Sequence, residues 1–287
     1  MIRGESLKIL ILFFLPVFLM TPLAFSEGTI NLGSLKVAGP IGNMDEKAGV
    51  SMIKVRPFYF YDYYQDVLNK CINENGSINL KKLNTASHNL DLFLNTIKEI
   101  SENDIKKMTD DDQLAFWINT HNALSLSMLL NHPVEESLSI NKKLKTTRYK
   151  ITGKSLTLDI IKKNIIKKQF QQPKAYFALF DGTKNSPPIR KNYYTGDKLG
   201  LQLTEQVREY LNNPDHLQID LNNSVVYLPA ILKEHSNEFS SYYNTNDKYY
   251  GFNKRDRALL NFVYKYLDTR HKVYINSKNF KIDFLND

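Results

Sequence analysis

Leu114-Ala115-Phe116-Trp117-Ile118-Asn119-Thr120-His121-Asn122-Ala123-Leu124 lies at the centre of the stretch that decides the fold. The run around it starts and stops legibly. Thr109 followed three residues later by Asp112 is a capping-box pattern, and Asp110 to Asp112 suit the positive end of a helix dipole. Asn131-His132-Pro133 stops the run, because proline lacks the N–H and crowds the preceding turn. Between these points Leu114, Trp117, His121, Leu124 and Met128 recur at three- and four-residue steps, which predicts one apolar helical face. Asn119 and Asn122 sit one turn apart. Two amides and an imidazole inside an apolar helix must find partners. Two readings stand, and they are compatible. The amides bond neighbouring backbone in a core helix, or they line a site together with Trp117 and His121.

The rest of the chain supplies a frame for that helix. With 42% hydrophobic and 24% charged residues, the 287-residue chain has a globular rather than a disordered composition, and it is long enough to bury a substantial core. Its formal net charge is +8. Lys142, Lys143, Lys145, Arg148 and Lys150 form one basic cluster, and Lys162, Lys163, Lys167 and Lys168 form another. An anionic envelope component is the partner such a surface fits. The ordinary reading is a set of solvated helix faces. No specific nucleic-acid motif is present, and the phosphate-binding glycine loop and the Gly-x-Ser-x-Gly elbow are both missing.

Met1 to Ser26 reads as a signal peptide. Arg3 and Lys8 precede an apolar run, Ile9 to Met20, that is too short to span a bilayer comfortably, and Ala24-Phe25-Ser26 offers a cleavage site before Glu27. The expectation is a periplasmic or secreted protein that meets the membrane only transiently, through this segment. An uncleaved anchor is the alternative. Residues 27–55 read as a linker or N-terminal arm, rich in Gly and Ser, and residues 56–287 as the folded domain. Cys71 is the single cysteine, so an intramolecular disulfide and a cysteine-ligated metal cluster are both excluded. The other histidines are scattered without metal-type spacing, and no cofactor or metal is called for.

Periodicity predicts helices over Tyr63 to Asn73, Leu90 to Ile100, Glu102 to Met108, Leu156 to Phe170, Leu201 to Asn212 and Asp256 to Leu267, with another from Pro229 to Phe239. Short strands are expected at Tyr149 to Ile151, Lys174 to Phe180 and Ser224 to Leu228. A closing hairpin is expected from Val273 to Asn276 and Phe280 to Phe284. The fold class is therefore α+β: a mostly helical single domain around a small β-sheet.

Phe116-Trp117-Ile118-Asn119, followed by Asn122-Ala123-Leu124, resembles the central signature of domain-of-unknown-function family 547. Asn75 to Asn79, Gly153 to Asp159, Phe177 to Leu179, Ser186 to Arg190 and Ile282 to Asn286 resemble further motifs of that family in the same order. The family usually has His where this chain has Tyr176, Cys where it has Ser186, and Glu and Arg where it has Lys162 and Lys167. It usually has Tyr at the position of His121. The resemblance implies a thiol-dependent hydrolase or transferase scaffold whose site is altered here. A binding or scaffold protein is the leading expectation. A hydrolase using Ser186, with His121 or His235 as base, is the alternative, and a basic module binding anionic polymers is a third. Serine needs such a base to act as a nucleophile, and Tyr176 cannot serve as one near neutral pH. The loop Asp181 to Arg190, with Asn185, and the residues Trp117, Asn119, Asn122 and Tyr176 are the candidate binding set. Arg190 suits a carboxylate or phosphate.

Overall fold

The computed structural model describes residues 61–131, 137–183, 186–243, 248–277 and 279–285. The expected signal peptide and arm, Pro133 and Asn185 lie outside the described residues. The described residues open with four helices: α1 (Tyr61–Cys71), α2 (Leu80–Thr85), α3 (Ser87–Glu99) and α4 (Glu102–Lys106). Helix α5 (Asp110–Asn131) follows, and α6 (Ser137–Thr146) leads into the hairpin β1 (Tyr149–Ile151) and β2 (Lys154–Leu156). Thr152 and Gly153 both have positive φ in its two-residue turn, which suits the right-handed twist of a hairpin.

Helix α5 is the axis. Its start follows the capping logic: Asp112 N–H donates to Thr109 Oγ1 at 3.2 Å, and Thr109 Oγ1 donates to the Asp112 carboxylate at 2.7 Å. Its single-face expectation is corrected. Every residue from Leu114 to Leu126 is buried, so the helix is enclosed on all sides rather than amphipathic. Gly196 opens a 3-10 turn (Gly196–Lys198) so close to the N-terminus of α5 that a Cβ there would overlap the Asp112 carboxylate.

Beyond β2, α7 (Leu158–Ile160) runs directly into a ten-residue π-helix (Ile161–Phe170), which ends on Gln171 in the left-handed region. The expected helix is therefore real, but most of it is wound more widely than an α-helix, a geometry uncommon at this length. The expected strand Lys174 to Phe180 is instead a 3-10 helix (Pro173–Ala178) with Pro173 at its first turn. A fully apolar run bounded by proline and glycine fits either form, and proline's fixed φ favours the turn.

Helix α8 (Leu199–Leu211) precedes β3 (Gln218–Asp220) and β4 (Val225–Leu228). Then come α9 (Ala230–Glu234), α10 (Ser236–Tyr242), α11 (Lys254–Tyr266), α12 (Thr269–Ser277) and β5 (Lys281–Phe284). The single helix expected after Pro229 is broken at His235 into α9 and α10. The closing hairpin is overturned. Val273 to Asn276 lies in α12, whose first turn is tied by His271 N–H donating to Asp268 Oδ1, and Ile275 is fully buried there. Strand β5 pairs parallel with β4, Val226 opposite Ile282, while β3 pairs antiparallel on the other edge of β4. The fold is mostly helical α+β, with two small sheets rather than one among the described residues. Among the described residues no helix is long and apolar enough to cross a membrane.

Candidate functional site

The amides of α5 act on the backbone of distant segments. Asn119 donates to the Tyr194 carbonyl at 2.8 Å and accepts the Tyr194 N–H at 2.9 Å. Asn122 donates to the Ala178 carbonyl at 2.8 Å and accepts the Phe180 N–H at 2.9 Å. Each side chain thus pairs with a backbone segment as a neighbouring strand would. One clamp fixes the segment before the Gly196 turn. The other fixes Leu179 and Phe180, the lead-in to the Asp181 loop. Trp117 is buried beside them, edge-on to Phe116 with ring centroids 5.2 Å apart.

The Asp181 loop is self-braced. Ser186 Oγ accepts the Asp181 N–H at 2.8 Å and donates to the Pro187 carbonyl at 3.4 Å, while Asp181 Oδ1 takes both the N–H and the hydroxyl of Thr183. His121 is 1% exposed, and its Nδ1 has no hydrogen-bond partner. Burial pushes its pKa down to about 4, the Lys162 charge acts in the same direction, and Asp181 acts against them. The loop therefore sets Asp181 within electrostatic reach of His121, while Ser186 Oγ bonds only backbone of its own loop.

His235 stands elsewhere, at the break between α9 and α10. Its ring stacks on Tyr176 with centroids 3.7 Å apart and planes 6° apart, and neither of its buried nitrogens has a hydrogen-bond partner. Burial, reinforced by Lys162, pushes its pKa down to about 3. Burial also raises the Tyr176 phenol further above its ordinary range, with Glu238 and Glu234 adding to the rise. Lys162 Nζ lies 3.3 Å from Glu234 Oε1, an oxygen that is also 3.5 Å from His235 Nε2. Lys167 pairs with Glu238, and Lys163 with Asp159. Three of the four positions that depart from the family pattern, Lys162, Lys167 and Tyr176, therefore meet residues 234–238. The fourth, Ser186, belongs to the Asp181 loop. Nothing local in the sequence joined them, because the glutamates that answer the lysines lie about seventy residues downstream.

Arg190 leaves the loop for a different neighbourhood. It donates to Glu205 Oε2 at 2.9 Å and to the Gln202 carbonyl at 3.3 Å, and its guanidinium carbon lies 5.9 Å from the centre of the Tyr194 ring. It borders a cleft of about 330 Å³ between the 73–76 turn, the 188–192 segment and α8. Sequence reasoning missed this cleft: Glu205, Gln206 and Glu209 look like an ordinary helix surface until the Pro-Pro segment is folded against them. Gln206 donates to the Pro188 carbonyl at 2.7 Å and leaves its Oε1 unpartnered. No group of three or more His, Cys, Asp or Glu converges as metal ligands among the described residues.

Residues 105–211 match the family described as Protein of unknown function, DUF547. The match takes in α5, the π-helix, the Asp181 loop and α8. No curated protein and no solved structure matches the chain.

Proposed function

We propose that this chain is a ligand-binding protein of the cell envelope, exported by residues 1–26, on a family scaffold whose loop at Ser186 serves as a structural brace. The observation that carries the reading is the bonding of Ser186. Its hydroxyl accepts a backbone N–H within its own loop and faces a backbone carbonyl, while His121 Nδ1 and both nitrogens of His235 remain unpartnered. A serine without a base is a poor nucleophile. Tyr176, at the position where the family usually has His, has a raised pKa and is stacked on His235, which suits it to packing rather than proton transfer. Lys162, Lys163 and Lys167 of the π-helix are answered by Glu234, Asp159 and Glu238, which weakens the anionic-polymer alternative on that face.

The hydrolase reading draws support from one feature: Asp181 acts electrostatically on His121 while its N–H bonds Ser186. Acyl-ester probes separate the two. The binding reading expects wild type and Ser186→Ala to be equally inert, and Ser186-dependent turnover would overturn it. For export, N-terminal sequencing of the protein from the envelope fraction is expected to begin at Glu27. An intact Met1 in the cytosolic fraction would contradict that.

A further inference from the structure

We propose that the cleft beside Arg190 binds a primary ammonium group, held by Glu205, Gln206 and Glu209 of α8. The proposal rests on the binding reading above and names its ligand class.

Charge is the first argument. The cleft is lined by Glu74, Glu205 and Glu209 against Arg190 and Lys191, an acidic excess on a chain whose formal net charge is +8. Lys191 pairs with Glu74, and Arg190 pairs with Glu205. Glu209 is exposed and forms no ion pair among the described residues. Glu205 and Glu209 lie one turn apart on the same helix, and like charges at that spacing repel. A cation placed between them relieves the repulsion, much as Arg190 already does for Glu205.

Hydrogen bonding is the second argument, and it is independent of charge. Gln206 is fully buried, and its amide orientation is set because the Pro188 carbonyl needs a donor. Its oxygen is therefore the end left without a partner, on a residue that lines the cleft. A buried acceptor without a donor is costly, and native proteins rarely leave one so. An ammonium group offers three donors and no acceptor, which matches one amide oxygen and two carboxylates. The cleft's volume, about 330 Å³, admits a short alkyl chain behind such a group. The ammonium can come from a free diamine or from the side chain of a lysine residue.

The test is calorimetric titration of the full chain with cadaverine and with Nα-acetyl-lysine methylamide. The Nε-acetylated lysine derivative and glutarate are the uncharged and anionic controls. The expected result is binding of an amine, with no binding of either control, and at least a tenfold loss in Glu209→Gln, an exposed substitution that leaves the core intact. Preference for cadaverine supports a free amine, and preference for the lysine derivative supports a side chain. Equal binding of the acetylated control, unchanged affinity in Glu209→Gln, or no binding of either amine at millimolar concentration overturns the proposal. Glutarate binding abolished by Arg190→Ala overturns the ammonium assignment and spares the binding reading. Ser186-dependent ester turnover overturns the binding reading and leaves the amine titration standing.

Discussion

Two pairs of polar side chains sit in the same core and are treated in opposite ways. Asn119 and Asn122 each close a donor and an acceptor onto backbone that is otherwise buried. His121 and His235 are buried as deeply, yet His121 Nδ1 and both nitrogens of His235 bond nothing. The difference separates scaffold from tolerance. The asparagines hold the Asp181 loop and the segment before Gly196 in place. Burial keeps the imidazoles as neutral rings, His121 beside the Asp181 charge and His235 stacked on Tyr176 with Glu234 nearby. A buried polar residue is structural when removing it orphans something else, and dispensable when it was already alone.

The largest expected effect is at the asparagines. Asn122→Ala leaves the Ala178 carbonyl and the Phe180 N–H buried without partners, and the loss is about 2–5 kcal/mol in urea unfolding. Asn119→Ala is expected to cost a similar amount through Tyr194.

Acid should break the contrast from the other side. His121 and His235 have folded pKa values of about 4 and about 3, below the ordinary imidazole value of 6.5. The unfolded chain therefore binds more protons than the folded one between these values and about pH 6.5. The contribution of the neutral imidazoles is complete above that pH and is lost as pH falls towards the folded values. The slope is up to about 1.4 kcal/mol per pH unit for each ring. Unfolding midpoints measured from pH 7.5 to 4.5 should fall accordingly. His235→Phe, which keeps a ring on Tyr176, should remove its share of the slope. A slope unchanged in that variant would show that His235 does not titrate with folding.

Smaller effects locate the anchors of α5. Gly196→Ala forces the Asp112 carboxylate to move and is expected to cost about 1–3 kcal/mol. Thr109→Ala removes the cap alone, with a loss of about 1 kcal/mol in the same assay.

What was legible in the sequence was local. The cap at Thr109, the short strand at Tyr149 and the periodicity of α3, α8 and α11 depend on residues a few positions apart, and they appear in the structure where expected. What was illegible depends on distant partners. Asn119 and Asn122 announced only a need, because the backbone they clamp lies 75 and 56–58 residues downstream. Lys162 and Lys167 read as a solvated basic face because Glu234 and Glu238 are remote in sequence. The Val273 to Asn276 stretch is β-branched and aromatic enough to suggest a strand, and burial of Ile275 on a helix overrides that preference. The cleft at α8 was invisible because its second wall comes from the Pro188 segment and its third from the turn at Gly76.

The most direct test of the contrast is urea unfolding at pH 7 of Asn122→Ala beside His235→Phe. The account predicts a loss of about 2–5 kcal/mol for the first and a change within about 0.5 kcal/mol, or a gain, for the second. A near-neutral Asn122→Ala with a strongly destabilised His235→Phe would contradict it, and would move the structural role from the α5 amides to the imidazole on Tyr176.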